Sequence, residues 1–511
     1  MKKGINILTF GFALATLTGC GDFLTQEAQD LVIPKTVTQY KELLQGDGYF
    51  KNLQTTAAWV HFLTDDMATG PYEYADDPTK ISADMEKYKQ IFLWQSEIES
   101  DQFTDDLYAY LYSQALPGTI CLEMLDDMEG SDTEKRILKG QASFQRAMAF
   151  FYLANLYGPA YNEAQGSDPC VPMSLTATAT PGSYPRKTVE EVWGQIHTDI
   201  TTAVECLDGY EAGVYEINYK AALLLASRVA LFMENYEEAI TYAEKLLELA
   251  PTLFDMVGKI DIETYLDPDE YSSEGILNTN LNPDEILWTF SQSSTQTMKY
   301  LLTDAMLTSM SFTVSNTEDS GLIQLYDRDK DVRMAFSFAD PDPDDLFASL
   351  IGCMSSTYVY SPCKYNSYAG MTGFPMGMRN AEAYLTLAEA YARKANPDKS
   401  RALDYLNALL KTRIVDYTPL TEADFATDQE LVERIWTERR KELCFEELHR
   451  WWDMRRCGQK GFTRVWGVTG ESYKIADHDP AFTLNFPKKE RDFDPGLTPN
   501  NRPIRTPVAS N

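Results

Sequence analysis

The chain has 511 residues, with 77 Asp and Glu against 45 Lys and Arg, a formal net charge of −32. A body this acidic is repelled by phosphate backbones and by anionic lipid, which argues against nucleic acid as a partner and against membrane adhesion through surface charge. Its 44% apolar content is ample for a sizeable core in one domain or several.

In chain order, the first element is a secretory signal: Lys2 and Lys3, then an apolar run from Ile5 to Leu17 that is too short to span a bilayer. It ends in Leu17-Thr18-Gly19-Cys20, which resembles the lipobox of bacterial lipoproteins. That resemblance implies cleavage before Cys20 and acylation of the new N-terminal cysteine, the alternative being an ordinary cleaved signal with an incidental cysteine. Several acyl chains anchor a protein durably, at about 0.8 kcal/mol per buried methylene. Residues 1–19 thus read as signal peptide, 20–40 as lipidated cysteine and tether, and 41–511 as a single body. Loss of Lys2 and Lys3 with the signal leaves 43 basic and 77 acidic side chains, a net charge of −34. Seven cysteines remain, without a Cys-x-x-Cys; Cys353 and Cys363 are the nearest plausible pair, against buried thiols as the alternative.

The stretch from Phe50 to Gln114 is rich in Tyr, Asp, Gly and Ser, has weak helical periodicity, and reads as loops, short helices and short strands. Lys135 to Tyr157 predicts a helix, with Ala142, Ala147, Phe150, Phe151 and Ala154 on its apolar side and Gly158-Pro159 ending it. Its expected partner is Val189 to Leu207, with Thr188 as N-cap ahead of Glu190 and Glu191. Between them lies a proline-rich excursion. Asn218 to Pro251 predicts a helical hairpin turning at Asn235-Tyr236. Counted back from Pro251 as the proline of a 34-residue tetratricopeptide repeat, Ser227 and Ala239 fall at the small positions that let two helices approach closely. Pro251 to Phe374 again reads as loops and short elements, including a strand over Glu285 to Phe290. A second hairpin spans Arg379 to Arg413, and the chain from Gly458 onward reads as loop. The fold class is mainly α: a tetratricopeptide-repeat scaffold of stacked helices wrapped by a loop-rich region with a few short strands.

Glu438-Arg439-Arg440-Lys441-Glu442-Leu443-Cys444-Phe445-Glu446-Glu447-Leu448-His449-Arg450-Trp451-Trp452-Asp453-Met454-Arg455-Arg456 reads alone as an amphipathic helix, its charges forming a partly buried ion-pair network and its tryptophans anchoring packing. The segment resembles the C-terminal hallmark of the SusD/RagB family of nutrient-binding outer-membrane lipoproteins. Family-like stretches elsewhere, including Gly140 to Gly158 and Asp494 to Asn500, extend the resemblance over nearly the whole mature chain. One departure is visible: many members have a small residue, often Gly, after the Phe-Glu, where this chain has Glu447. The resemblance implies a SusD-like fold, with residues 41–330 carrying the repeat helices of 135–251 and residues 331–511 forming the C-terminal SusD/RagB region.

It also implies a cell-surface lipoprotein that binds oligosaccharides and delivers them to a SusC-like TonB-dependent transporter in the outer membrane of a Gram-negative bacterium. A RagB-like peptide cargo and a helical-repeat lipoprotein that binds only proteins are the alternatives, with a surface glycoside hydrolase third. Sugar rings lie against flat aromatic side chains, and Tyr72, Tyr74, Trp94 and Tyr300 are the candidate platforms. Trp59, Trp288, Trp451 and Trp452 are expected in the structural core. No catalytic residues and no cofactor are expected: the four histidines lack metal-ligand spacing, and nucleophile-elbow, phosphate-loop and dinucleotide motifs do not occur. Alternate aspartates make Asp327, Asp329 and Asp331 candidates for a structural calcium, with Asp340, Asp342 and Asp344 as a second triplet. Neither has the Gly and Glu that complete an EF-hand loop, so solvated acidic loops are the default expectation.

Overall fold

The computed structural model describes residues 34–71, 81, 83–178, 182–259, 277, 282–291, 310–316, 321–339, 361–362 and 376–508. Cys20, Tyr72, Tyr74, Tyr300, Cys353, Cys363 and the aspartates of 340–344 lie outside them. The principal helices are α1 (Val37–Asp47), α2 (Ala83–Phe92), α3 (Leu107–Glu123), α4 (Asp132–Tyr157), α5 (Val189–Leu207), α6 (Tyr219–Phe232), α7 (Tyr236–Leu249), α8 (Asn380–Arg393), α9 (Lys399–Lys411), α10 (Asp428–Leu443) and α11 (His449–Arg456).

Their starts are set by side chains that satisfy the free N–H groups of a first turn. Ser131 and Glu134 form a reciprocal capping box on α4, and Thr188 and Glu191 form another on α5. Asn218, Asn235, Asp398 and Thr427 accept from the first turns of α6, α7, α9 and α10. The two predicted hairpins are therefore present, and α8 packs on both α6 and α7, so they stack as repeat units do. Helices α3, α4, α5 and α6 continue the stack in the other direction. Gly140 lets α4 and α5 approach closely, since a Cβ there would lie 2.7 Å from Leu207 Cγ.

Four expectations change. Helix α3 runs through part of the stretch read as weakly helical; it packs against both α1 and α4, and a helix covered on more than one side shows no single apolar stripe. The proline-rich excursion contains an antiparallel pair, Pro169–Pro172 with Arg186–Thr188. The segment after Gly458 forms a hairpin, Phe462–Trp466 with Glu471–Ile475. Its alternation is disguised because the inward position between Phe462 and Trp466 is an arginine, Arg464. Finally, the segment read as one helix over 438–456 is two, because α10 stops at Leu443 and α11 begins at His449. Between them Phe445 (φ 58°) and Glu447 (φ 44°) are left-handed, a conformation that costs a non-glycine residue on the order of 1–3 kcal/mol. Glu447 stands where the family pattern has a small residue.

Of the other short strands, Ile286–Phe290 is fully buried, as the Trp288 reading requires, and pairs antiparallel with Met376–Arg379. Met67–Pro71 pairs with Met310–Val314. Among the described residues Cys121, Cys170, Cys206, Cys444 and Cys457 form no disulfide.

Candidate functional site

Helix α10 places Glu438 and Glu442 one turn apart, and the turn after it adds Glu446 and Glu447; all four are at most 2% exposed. Arg379, at the start of α8, donates to Glu285, Glu442 and Glu446, each at 2.7 Å. Arg413, just after α9, joins Glu442 at 2.9 Å and Glu285 at 3.2 Å. Arg333 bridges Asp331 and Glu438, both at 2.6 Å, and Lys441 reaches the same two carboxylates at 3.0 Å. In a second cluster Arg228 from α6 donates to both oxygens of Glu382 and both of Glu447 at 2.7–3.0 Å. Arg439 and Arg456 hold Asp453, and Arg456 also holds Glu389. Burial alone would raise the Glu442 carboxyl; the guanidinium groups of Arg413 and Arg379 outweigh it and hold the group well below the usual range. Glu382, Glu438 and Asp453 are lowered by the same balance of burial against neighbouring arginines.

The predicted ion-pair network is thus present and buried, joining α6, α8, α10 and α11. Trp451 and Trp452 are fully buried, as expected, and Trp59 is 4% exposed. The left-handed Glu447 is stabilised by Arg228 and by the Tyr152 hydroxyl, which donates to it at 2.5 Å. Glu382, Glu447 and His449 present ligand atoms within 4.8 Å of one another, a spacing that would suit a metal ion. The Arg228 guanidinium already fills that place, since all four carboxylate oxygens accept from it.

Of the ligand platforms read from the sequence, Trp94 is within the described residues, and it is a core residue. Its indole is fully buried, meets Trp451, Phe462 and Phe482 edge-on at 4.8–5.7 Å between ring centres, and donates to the Leu63 carbonyl at 2.8 Å. A ring so enclosed has no face left for a sugar. The calcium triplet is also corrected. Asp331 is 2% exposed and its carboxylate is held by Arg333 and Lys441, so two cationic side chains stand where a metal would have to bind; Asp327 and Asp329 are exposed turn residues.

A hollow of ≈ 410 Å³ went unread in the sequence. It is lined by Gln45, Tyr49, Lys51, Tyr215, Glu216 and Ser291, among others. Its walls come from the end of α1, the loop between α5 and α6, and the end of the buried strand Ile286–Phe290, three segments far apart in the chain. Tyr215 alone carried a signal, as an aromatic in a Gly- and Glu-rich loop.

Two family models match the chain: residues 43–231 match a SusD-like model described as starch-binding associating with outer membrane, and residues 351–506 match the SusD family model. No curated protein matches the chain. Among solved structures, a SusD superfamily protein from Bacteroides thetaiotaomicron is 19% identical, with a TM-score of 0.67 over 91% of this chain and 100% of that one. A putative sugar binding protein from Bacteroides vulgatus is 21% identical, with a TM-score of 0.68 over 92% and 99%. A SusD-like carbohydrate binding protein from the same species is 18% identical, with a TM-score of 0.64 over 91% and 97%. These likenesses establish the shared fold. With the two family models covering about two thirds of the sequence and the hallmark segment folded into the charge network, the chain belongs to the SusD/RagB family.

Proposed function

We propose that this protein is a cell-surface lipoprotein, held in the outer membrane by acylated Cys20, that captures glycan fragments and passes them to a SusC-like TonB-dependent transporter. The observation that carries the reading is the match of both halves of the chain to SusD family models, one described as starch-binding and associating with the outer membrane. The sugar-binding and carbohydrate-binding names of similarly folded proteins support a glycan cargo. Among the described residues no helix is long and apolar enough to cross a membrane, which fits attachment through a lipid. Capture for transport needs affinity without turnover. The buried acid clusters suit that role, because their carboxylates are committed to arginines and not presented to a glycosidic bond.

Three measurements test the parts separately. Titration with an oligosaccharide panel, run beside a product assay, should give saturable binding without hydrolysis; turnover would instead point to a hydrolase. Cys20→Ala should move the protein out of the membrane fraction, and its retention there would refute the anchor. Purification from detergent-solubilised outer membranes should bring down a TonB-dependent barrel.

A further inference from the structure

We propose that the hollow between α1, the α5–α6 loop and the end of strand Ile286–Phe290 is a subsite for a single sugar ring, and that it prefers a ring carrying a carboxylate, a uronic acid, over the corresponding neutral sugar. The proposal rests on the glycan-capture reading above. At ≈ 410 Å³ the hollow falls within the size range of small-ligand pockets, roughly 300–1,000 Å³. Its floor includes the buried Tyr49 and Phe290, while Tyr215 stands 55% exposed at its edge. An exposed phenol ring beside an apolar floor offers the flat surface on which the CH face of a pyranose packs. Gln45, Lys51 and Glu216 supply polar groups around it.

The walls are fixed before any ligand arrives. Ser291 is held in a left-handed conformation (φ 64°), with its hydroxyl accepting from the Gln54 N–H at 2.9 Å and donating to the Lys51 carbonyl at 3.3 Å. The Thr289 N–H donates to the Val214 carbonyl at 2.8 Å, and the Ile217 N–H to the Tyr49 hydroxyl at 3.2 Å, tying the tyrosine-bearing loop to both other walls. Pre-set walls around a hollow lower the ordering cost of binding.

The charge preference follows from the two ionic side chains at the site. Glu216 is neutralised in place: it pairs with Lys41 at 2.6 Å and accepts from Gln141 at 2.8 Å and Tyr210 at 2.6 Å. Among the described residues Lys51 has no ion pair, so the rim carries a local positive charge on a strongly acidic protein. A uronate carboxylate at the rim pairs with that ammonium; a neutral hydroxymethyl group does not.

The test is calorimetric titration of trigalacturonate and galactotriose into the lipid-free mature protein, Tyr215→Ala and Lys51→Gln, with matched melting temperatures confirming that the variants fold. Wild type should bind trigalacturonate more tightly. Tyr215→Ala should weaken both sugars by about tenfold. Lys51→Gln should weaken trigalacturonate alone, by up to about fivefold, to the level of galactotriose. Unchanged affinity of Tyr215→Ala for every glycan the wild type binds overturns the subsite and leaves capture elsewhere on the molecule standing. Wild type that binds no carbohydrate overturns both readings. Binding of other glycans but of neither probe, or equal loss of both probes in Lys51→Gln, overturns the uronate preference.

Discussion

Two groups of arginines are buried in this protein, and they are held in opposite ways. In the network of α6, α8, α10 and α11, Arg228, Arg379, Arg413 and Arg456 meet carboxylates. Around Trp94, Arg455, Arg464 and Arg502 meet main-chain carbonyls: Arg455 those of Phe482, Asn155 and Gly158, Arg464 those of Phe62 and Thr64, and Arg502 those of Ala481, Thr483 and Gln95. The first group joins helices to helices and keeps its charge balanced. The second staples loops and helix ends, and burial without a full counter-charge pulls its guanidinium groups down to about 9. The same side chain therefore serves charge neutralisation in the scaffold and hydrogen-bond satisfaction in the wrapping.

The largest expected effect comes from breaking the first group. Arg379→Met takes from Glu285, Glu442 and Glu446 the cation that all three share and leaves Arg413 to hold the first two, and urea denaturation should show a loss of about 3–5 kcal/mol. Arg502→Met removes a donor from carbonyls that accept alternative partners or water more readily, so the loss should be smaller, about 2 kcal/mol. A deficit for Arg502→Met equal to that for Arg379→Met would erase the distinction.

Acid separates the two groups of arginines further. Glu442, Glu382 and Glu438 have folded-state values below their unfolded ones, so their contribution is complete above about pH 4.5 and is lost as pH falls through the lowered values. Melting curves of Arg379→Met should thus depend less on pH between about 5 and 2 than those of the wild type, whereas Arg502→Met should keep the wild-type dependence.

Asp105 works in the other direction. It is 3% exposed, accepts from the Tyr157 hydroxyl at 2.8 Å and the Leu107 N–H at 3.0 Å, and has no ion pair among the described residues; burial pushes its carboxyl up to about 7. Its ionisation costs stability progressively as pH rises from about 4 to 7. Asp105→Asn should accordingly raise the melting temperature at pH 8 by more than at pH 4, an effect on the order of 1 kcal/mol. The smallest effect is expected at exposed Tyr215, where Ala should change stability by less than about 0.5 kcal/mol.

The hairpin over Asn218 to Pro251 is legible in the sequence because two independent signals agree there: apolar spacing at three and four residues, and Asn at the position that caps each first turn. The charge network is legible as a composition, since Glu and Arg alternate through Glu438 to Arg456. Its partners are not. Glu285, Arg379 and Arg413 lie outside that segment, and the stacking of α8 on α6 and α7 brings them to α10. The turn at Phe445–Glu447 is hidden for a related reason: non-glycine residues hold left-handed conformations there, with Glu447 stabilised by tertiary contacts to Arg228 and Tyr152. Trp94 misleads as a platform because exposure of an aromatic is set by what packs around it, here Trp451 and Phe482 from the far end of the chain. The hollow is invisible for the same reason, assembled from three segments with no shared motif.

On the proposed reading, the hallmark segment builds the fold while capture occurs elsewhere. Arg456→Lys separates the two roles, because it keeps the charge but loses the paired hydrogen bonds to Glu389. Urea midpoint and affinity for a glycan bound by the wild type should be measured on the same preparation. A lower midpoint with unchanged affinity is expected; an unchanged midpoint with lost affinity would place capture at the hallmark segment instead.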